Sequence, residues 1–327
     1  MSDDFIPATT RSQPQTAIFT ELTPLSACII SAMPEEMEPM HSLMADLGGV
    51  ATEIASPIGH LTLIALPRQA SEINNQLESN LGDSDPEDEP ENQPAAVHAA
   101  QPSEKLQPSE QLSPLQSPPP THSEVAHSAL ATHRYVLLAV TGIGFTATAS
   151  CLGWILAHYA PDAIVSIGSA GGLSADSRVG DVVLGTRYRD GMADGTNFGY
   201  VRGQVPDQPE YFSGDPALLA AGAVVALESE STDIRTAEML SSDTFVTDAN
   251  VGDMRSVFPA AASADMESYP AAHVAHQWGI PFISVRAISD LCSTPEDQTI
   301  SFHAELAEVA QTSARTALAT LQRAGVL

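Results

Sequence analysis

The sequence predicts an α/β fold, a β-sheet with helices on both faces. Three observations predict it. Short apolar runs of strand length recur along the chain. Segments with apolar residues at three- and four-residue spacing follow most of them. Several runs end abruptly in glycine, serine or a carboxylate, which is how strands in open α/β sheets meet a ligand crevice.

In chain order, residues 1–24 show no sustained period and read as a mobile tail. Leu25–Ala32 is an apolar strand. Met33-Pro-Glu-Glu36 then opens a helix carrying Met37, Met40, Leu43, Met44 and Leu47, which Gly48-Gly49 ends. Pro34 suits a first turn, and Glu35 and Glu36 suit the positive end of the helix dipole. Val50–Ala55 and His60–Leu66 read as a hairpin around Ser56–Gly59. Residues 68–132 are acidic and rich in Pro and Ser, with no Phe, Tyr or Trp. They read as a disordered insertion, because they bury too little apolar surface to offset ordering.

Tyr135–Val140 resumes the sheet, and Thr141-Gly-Ile-Gly144 turns into a helix from Phe145 to His158. Gly142-x-Gly144-x-x-Ala147 superficially matches a dinucleotide fingerprint, but the next strand ends in Gly-Ser rather than an acidic residue. Ala163–Ile167 is a buried strand, and Gly168-Ser-Ala-Gly-Gly172 reads as a small-residue loop open to a ligand. Val179–Leu184 is a further strand, Arg187–Gly214 a polar glycine-rich excursion, and residues 215–227 a helix. Arg235–Ser242 leads into Asp243-Thr-Phe-Val246. A helix opens at Ala264-Asp-Met-Glu267 and runs to about Trp278. Pro281–Asp290 is a strand, and residues 301–324 form the last amphipathic helix.

Composition narrows the function. The 327 residues carry a net charge of −28, which disfavours nucleic acid, since phosphate binding needs clustered Lys and Arg. The 3 cysteines, Cys28, Cys151 and Cys292, are widely spaced and suit a reducing compartment rather than a disulfide framework or zinc site. No run approaches the roughly 18–20 apolar residues of a membrane span, and no secretory signal is recognisable. These features predict a soluble, cytoplasmic protein with no nucleic-acid or membrane partner.

Taken singly, the polar groups at the element ends have plain explanations. Asp290 would serve as a helix cap, Glu267 as a first-turn charge, Phe245 as a core aromatic and Ser169 as a turn residue. Their order is more specific. Ala32-Met-Pro-Glu-Glu36, Thr141-Gly-Ile-Gly144, Gly168-Ser-Ala-Gly-Gly172 with Val179-Gly-Asp181, Phe198-Gly-Tyr200, Ser242-Asp-Thr-Phe245, Asp265-Met-Glu267 and Val285-Arg-Ala-Ile-Ser-Asp290 follow one another. In this the chain resembles the 5'-methylthioadenosine/S-adenosylhomocysteine nucleosidases of the purine nucleoside phosphorylase superfamily, over about residues 25–67 and 133–325.

The resemblance implies one α/β domain (residues 25–67 and 133–327) around a central mixed, twisted sheet of the nucleoside phosphorylase type. It implies a homodimer that hydrolyses an adenine N-glycosidic bond, with no cofactor and no metal. Asp290 would be the acid that protonates adenine, beside Ser289. Glu267 would hold the ribose hydroxyls, with Met266 against the sugar. Glu36 would bind and activate water, aided by Ser169 and Arg286. Phe245 would stack on the base, the Val246 backbone would read its edge, and Met33 and Ile143 would line the sugar. Phe302 would cover the thioalkyl tail. Phe198, Tyr200 and Pro206 would reach the partner's site. Pro34, His303 and the segment from Leu291 to Ile300 depart from the family pattern. Two alternatives are a nucleosidase acting on futalosine or aminodeoxyfutalosine and a non-catalytic nucleoside-binding protein. The acidic end of the first strand favours water over phosphate as nucleophile.

Overall fold

The computed structural model describes residues 22–68, 133–292 and 295–327, the last helix without its side chains up to residue 304. The expected tail and insertion therefore lie almost wholly outside the described residues. One compact unit runs to Leu66 and resumes at Tyr135. Its strands are β1 (Thr23–Leu25), β2 (Ala27–Ser31), β3 (Val50–Ile54), β4 (His60–Pro67), β5 (His133–Val140), β6 (Tyr159–Pro161), β7 (Ile164–Gly172), β8 (Val182–Asp190), β9 (Phe212–Ser213), β10 (Ile234–Ser241), β11 (Ala261–Asp265) and β12 (Phe282–Asp290). Its helices are α1 (Pro34–Asp46), α2 (Phe145–Leu156), α3 (Pro216–Glu228), α4 (Val251–Val257), α5 (Ser268–Trp278) and α6 (Pro295–Arg323).

A 10-stranded mixed sheet orders them β11-β10-β8-β12-β7-β2-β5-β4-β3, with β9 beside β8. Strand β7 also pairs antiparallel with β11, so β7, β12, β8, β10 and β11 close into a ring. The alternation of side chains along each strand builds two cores. Ile29, Leu138, Val165, Ile167, Ile283 and Val285 pack with Met37, Met40 and Met44 of α1 and with Val309, Ala314, Leu318 and Leu321 of α6. Cys28, Ile30, Leu137, Ile164 and Ile288 face the other way, against Cys151, Leu152 and Ile155 of α2 and Tyr269, Ala272 and Ala275 of α5. Helices cover both faces, which is why β2 and β7 read as continuous apolar runs. Each methionine of α1 is 1 % exposed or less. Burying one stabilises the fold by about 2 kcal/mol.

Several boundaries differ from expectation. Gly168–Gly172 is strand, not loop: β7 continues to Gly172, held by β12 on one side and β11 on the other. β8 runs on to Asp190, so Arg187–Asp190 belongs to the sheet through its pairing with β10. β11 occupies the residues before Glu267, and α5 begins only at Ser268. β1 takes in Thr23 and Pro24, which the sequence assigned to the tail.

Candidate active site

A cleft opens where β2, β5, β7, β10, β11 and β12 end. Met33, Glu36, Ile143, Ser169, Phe245, Val246, Met266, Glu267, Ser289 and Asp290 line it, all anticipated from the sequence. Ala32, Ala170, Gly171, Thr244, Ala264, Asp265 and Cys292 complete the wall.

Glu36 engages two sets of donors at once, one through each oxygen. As the third residue of α1 it reaches back, and Oε2 accepts from the N–H of Ala32 and Met33 at 3.2 and 3.3 Å. Oε1 accepts from both the N–H and the hydroxyl of Ser169 at 2.8 Å. The side chain is buried, and each partner is a donor, the set that a carboxylate needs.

Glu267 stands ahead of α5 and is also buried. Its Oε1 accepts from Gly144 N–H at 3.0 Å, and its Oε2 lies 3.4 Å from Arg286 Nη2. Burial pushes its carboxyl up to about 7, against the pull of Arg286. Arg286 itself is 1 % exposed and lies under the cleft rather than in its wall. Its Nε pairs with Asp265 Oδ2 at 3.0 Å, and Nη2 donates to Ser166 Oγ at 3.0 Å. Gly168 makes room for this layer. Its φ is +144°, and a Cβ there would lie 2.5 Å from Arg286 Nη1 and 2.6 Å from Glu36 Oε1.

Asp290 reaches the cleft through a β-bulge. The register of β12 against β7 shifts between Ile288 and Asp290, so Ser289 is the extra residue and Asp290 is re-aimed. Asp290 Oδ1 accepts from Cys292 N–H at 2.9 Å, and Ser289 Oγ lies 3.0 Å from Oδ2. Cys292 holds a left-handed φ of 53°, and burial pushes its thiol up to about 12.

The floor therefore gathers Glu36, Asp265 and Glu267 around one guanidinium, with Asp290 on the same cleft. Such a site suits developing positive charge and opposes an entering anion. The Gly142–Gly144 turn is likewise closed to phosphate. Gly144 N–H is taken by Glu267, and Phe145 N–H donates to Asp243 Oδ1 at 2.8 Å. Among the described residues no group of 3 or more His, Cys, Asp or Glu could hold a metal ion.

The sequence profile of the phosphorylase superfamily matches residues 96–323. A 5'-methylthioadenosine/S-adenosylhomocysteine nucleosidase from Tolumonas auensis is 35% identical over 185 residues, covering 56% of this chain and 80% of that protein. The chain belongs to this nucleosidase family, within the phosphorylase superfamily. The nucleosidase fold is also similar to the Neisseria meningitidis enzyme of that name in complex with methylthio-immucillin-A. That pair has 25% identity and a TM-score of 0.66, covering 92% of this chain and 99% of the other. Futalosine hydrolase of Helicobacter pylori shares the fold at 18% identity and a TM-score of 0.66, covering 92% and 98%.

The remaining residues singled out in this nucleosidase lie elsewhere. Phe198 is 82 % exposed and, like Tyr200 and Pro206, is absent from the cleft wall. The side chain of Phe302 is outside the described residues. Asp265 and Cys292 were not assigned roles from the sequence. Asp265 sat inside a quoted motif, and its spacing to Glu267 was the available signal.

Proposed function

We propose that this nucleosidase hydrolyses the adenine N-glycosidic bond of 5'-methylthioadenosine and S-adenosylhomocysteine, releasing adenine and a thioribose. The observation that carries this is the convergence of Glu36, Glu267 and Asp290 on one cleft with a single buried arginine beneath. A protein that only bound nucleosides would not need all three carboxylates.

In this reading Asp290 delivers a proton to N7 of the leaving base, with Ser289 and the Cys292 amide orienting its carboxyl. Glu267 holds the ribose hydroxyls and, with its neighbours, stabilises the oxocarbenium-like ribose as the bond breaks. Glu36 takes the proton of the attacking water, whose oxygen bonds to the anomeric carbon. Ser169 fixes Glu36, and Arg286 acts from below through Glu267. Phe245, 56 % exposed at the cleft, stacks on the base while Val246 reads its edge. Met33, Ile143 and Met266 pack on the sugar. The protein works in the cytoplasm as a homodimer, in which Phe198, Tyr200 and Pro206 complete the partner's site. Among the described residues, no helix is long and apolar enough to cross a membrane.

The test is incubation of the purified protein with methylthioadenosine, S-adenosylhomocysteine and aminodeoxyfutalosine, with and without phosphate. Adenine release from the first two, independent of phosphate, is expected. Release from aminodeoxyfutalosine alone would move the substrate to the alternative. A requirement for phosphate, with a sugar 1-phosphate as product, would make the protein a phosphorylase. No release from any of them would remove the nucleosidase activity.

A further inference from the structure

Asp265 touches more of the site's framework than any role suggested by the sequence requires. Its side chain is 2 % exposed and pairs with Arg286 Nε at 3.0 Å. Its Oδ1 accepts from Ser241 Oγ at 2.5 Å and from the N–H groups of Glu267 and Ser268 at 3.3 and 3.2 Å. Its Oδ2 accepts from Ser268 Oγ. The same hydroxyl lies 2.7 Å from Ser284 Oγ, and Ser284 N–H donates to the Tyr188 hydroxyl at 2.8 Å. One carboxylate thus ties together β10, β11, α5 and β12. It satisfies the first amides of α5, whose own leading residue, Glu267, makes no capping bond with its side chain.

We propose that Asp265 is a positioning residue for the glycosidic cleavage, setting the Met266–Glu267 backbone from one oxygen and the Arg286 guanidinium from the other. This rests on the nucleosidase reading of the cleft. Asp265 Oδ2 sits 3.0 Å from Nε as a charge contact without a hydrogen bond, and this attraction draws that edge of the guanidinium toward β11. Nη2 then meets Glu267 and Ser166 while Nη1 lies 3.3 Å from Ile167 O. Glu267 is thereby held at both ends, its backbone by Asp265 and its carboxyl by Arg286 and Gly144 N–H. A displacement on the order of 1 Å at such a group lowers turnover by about 100-fold.

Asp265 also acts on Glu267 through charge. The groups that face Glu267 are Arg286 on β12, Asp265 on β11, Glu36 on α1 and the Gly144 amide ahead of α2. Tyr188 on β8 faces the Asp265–Arg286 pair and stays a neutral phenol there, its pKa raised chiefly by burial. Among these, Asp265 and Glu36 oppose ionisation of Glu267, while Arg286 and the Gly144 amide favour it.

The test compares Asp265→Asn with wild type for adenine release across pH 5–9. The expected result is a kcat lower by roughly 10- to 100-fold with KM changed less than about threefold. The acid limb of kcat/KM moves to lower pH, because a repelling charge next to Glu267 is gone. A Ser241→Ala variant keeps the carboxylate and removes one of its donors. It should lose kcat in the same direction but less, and it decides the question if Asp265→Asn does not fold. A folded Asp265→Asn enzyme with kcat within twofold of wild type and an unshifted limb overturns the proposal. So does a rise in KM with unchanged kcat. If wild type itself releases no adenine, the function proposed for the cleft fails instead.

Discussion

Gly144 and Glu267 meet across the cleft, the glycine amide donating to Glu267 Oε1 at 3.0 Å. The turn that ends β5 is thus bonded to the carboxylate that opens α5, although 123 residues separate them. Gly144 has φ +94°, and a Cβ there would lie 2.7 Å from Asp243 Oδ1. Gly144→Ala should therefore destabilise the protein by about 1–3 kcal/mol and lower adenine release. Urea unfolding and a turnover assay on the same preparation check both effects.

Glu36→Gln tests the two sets of donors that meet on that side chain. An amide has one acceptor oxygen and one NH₂ group. Either the Ala32 and Met33 amides or the Ser169 donors must then face an NH₂. The variant should lose about 1–3 kcal/mol of stability as well as its turnover. A variant as stable as wild type would show that the donors are not set by the carboxylate.

Glu267 makes stability depend on pH in a defined direction. Burial raises its carboxyl from 4.5 to about 7, so between those values the folded protein keeps a proton that the unfolded chain has lost. The stabilisation from this group is full below pH 4.5 and falls as pH rises through the window, by roughly 3 kcal/mol in all. Glu267→Gln should flatten this dependence and gain stability relative to wild type between pH 4.5 and 8 while losing activity. Denaturant midpoints at several pH values measure it. A difference that stays constant with pH would mean that Glu267 keeps its ordinary ionisation in the folded site.

Asp290→Asn retains an oxygen for the Cys292 amide but has no proton to give. Turnover should fall by about 10²–10⁴-fold, with the thermal midpoint little changed. Near-normal turnover would exclude Asp290 as the acid.

Much of the cleft was legible because its residues lie at element ends within short ordered motifs. Glu36, Ser169, Phe245, Glu267 and Asp290, which line the cleft, all sit in such motifs. The errors have physical causes. Gly168–Gly172 has loop composition, yet it is strand because β12 and β11 supply its backbone partners from distant sequence. Ala261–Asp265 lacks the β-branched and aromatic residues that mark strands, so β11 was invisible to local propensity. Arg187–Asp190 looked like a polar loop, but Tyr188 is fully buried and its neighbours point outward, the alternation of a strand. Asp265 escaped notice because its importance lies in partners on β10, α5 and β12 that spacing alone does not bring together.

The ring of strands is sealed by a short seam. Gly171 faces Ala264, Gly172 faces Ser263, and Leu173 N–H donates to Ala262 O at 2.9 Å. A short run of pairing parts at lower free energy than the long ladder between β7 and β12. The amides on this seam should therefore exchange with deuterium sooner than those at the centre of β12. The cleft lies against both sides of the seam, so a nucleoside seated there acts as a clasp. Its binding should be visible as slowed exchange along a stretch of backbone that carries none of the reacting groups.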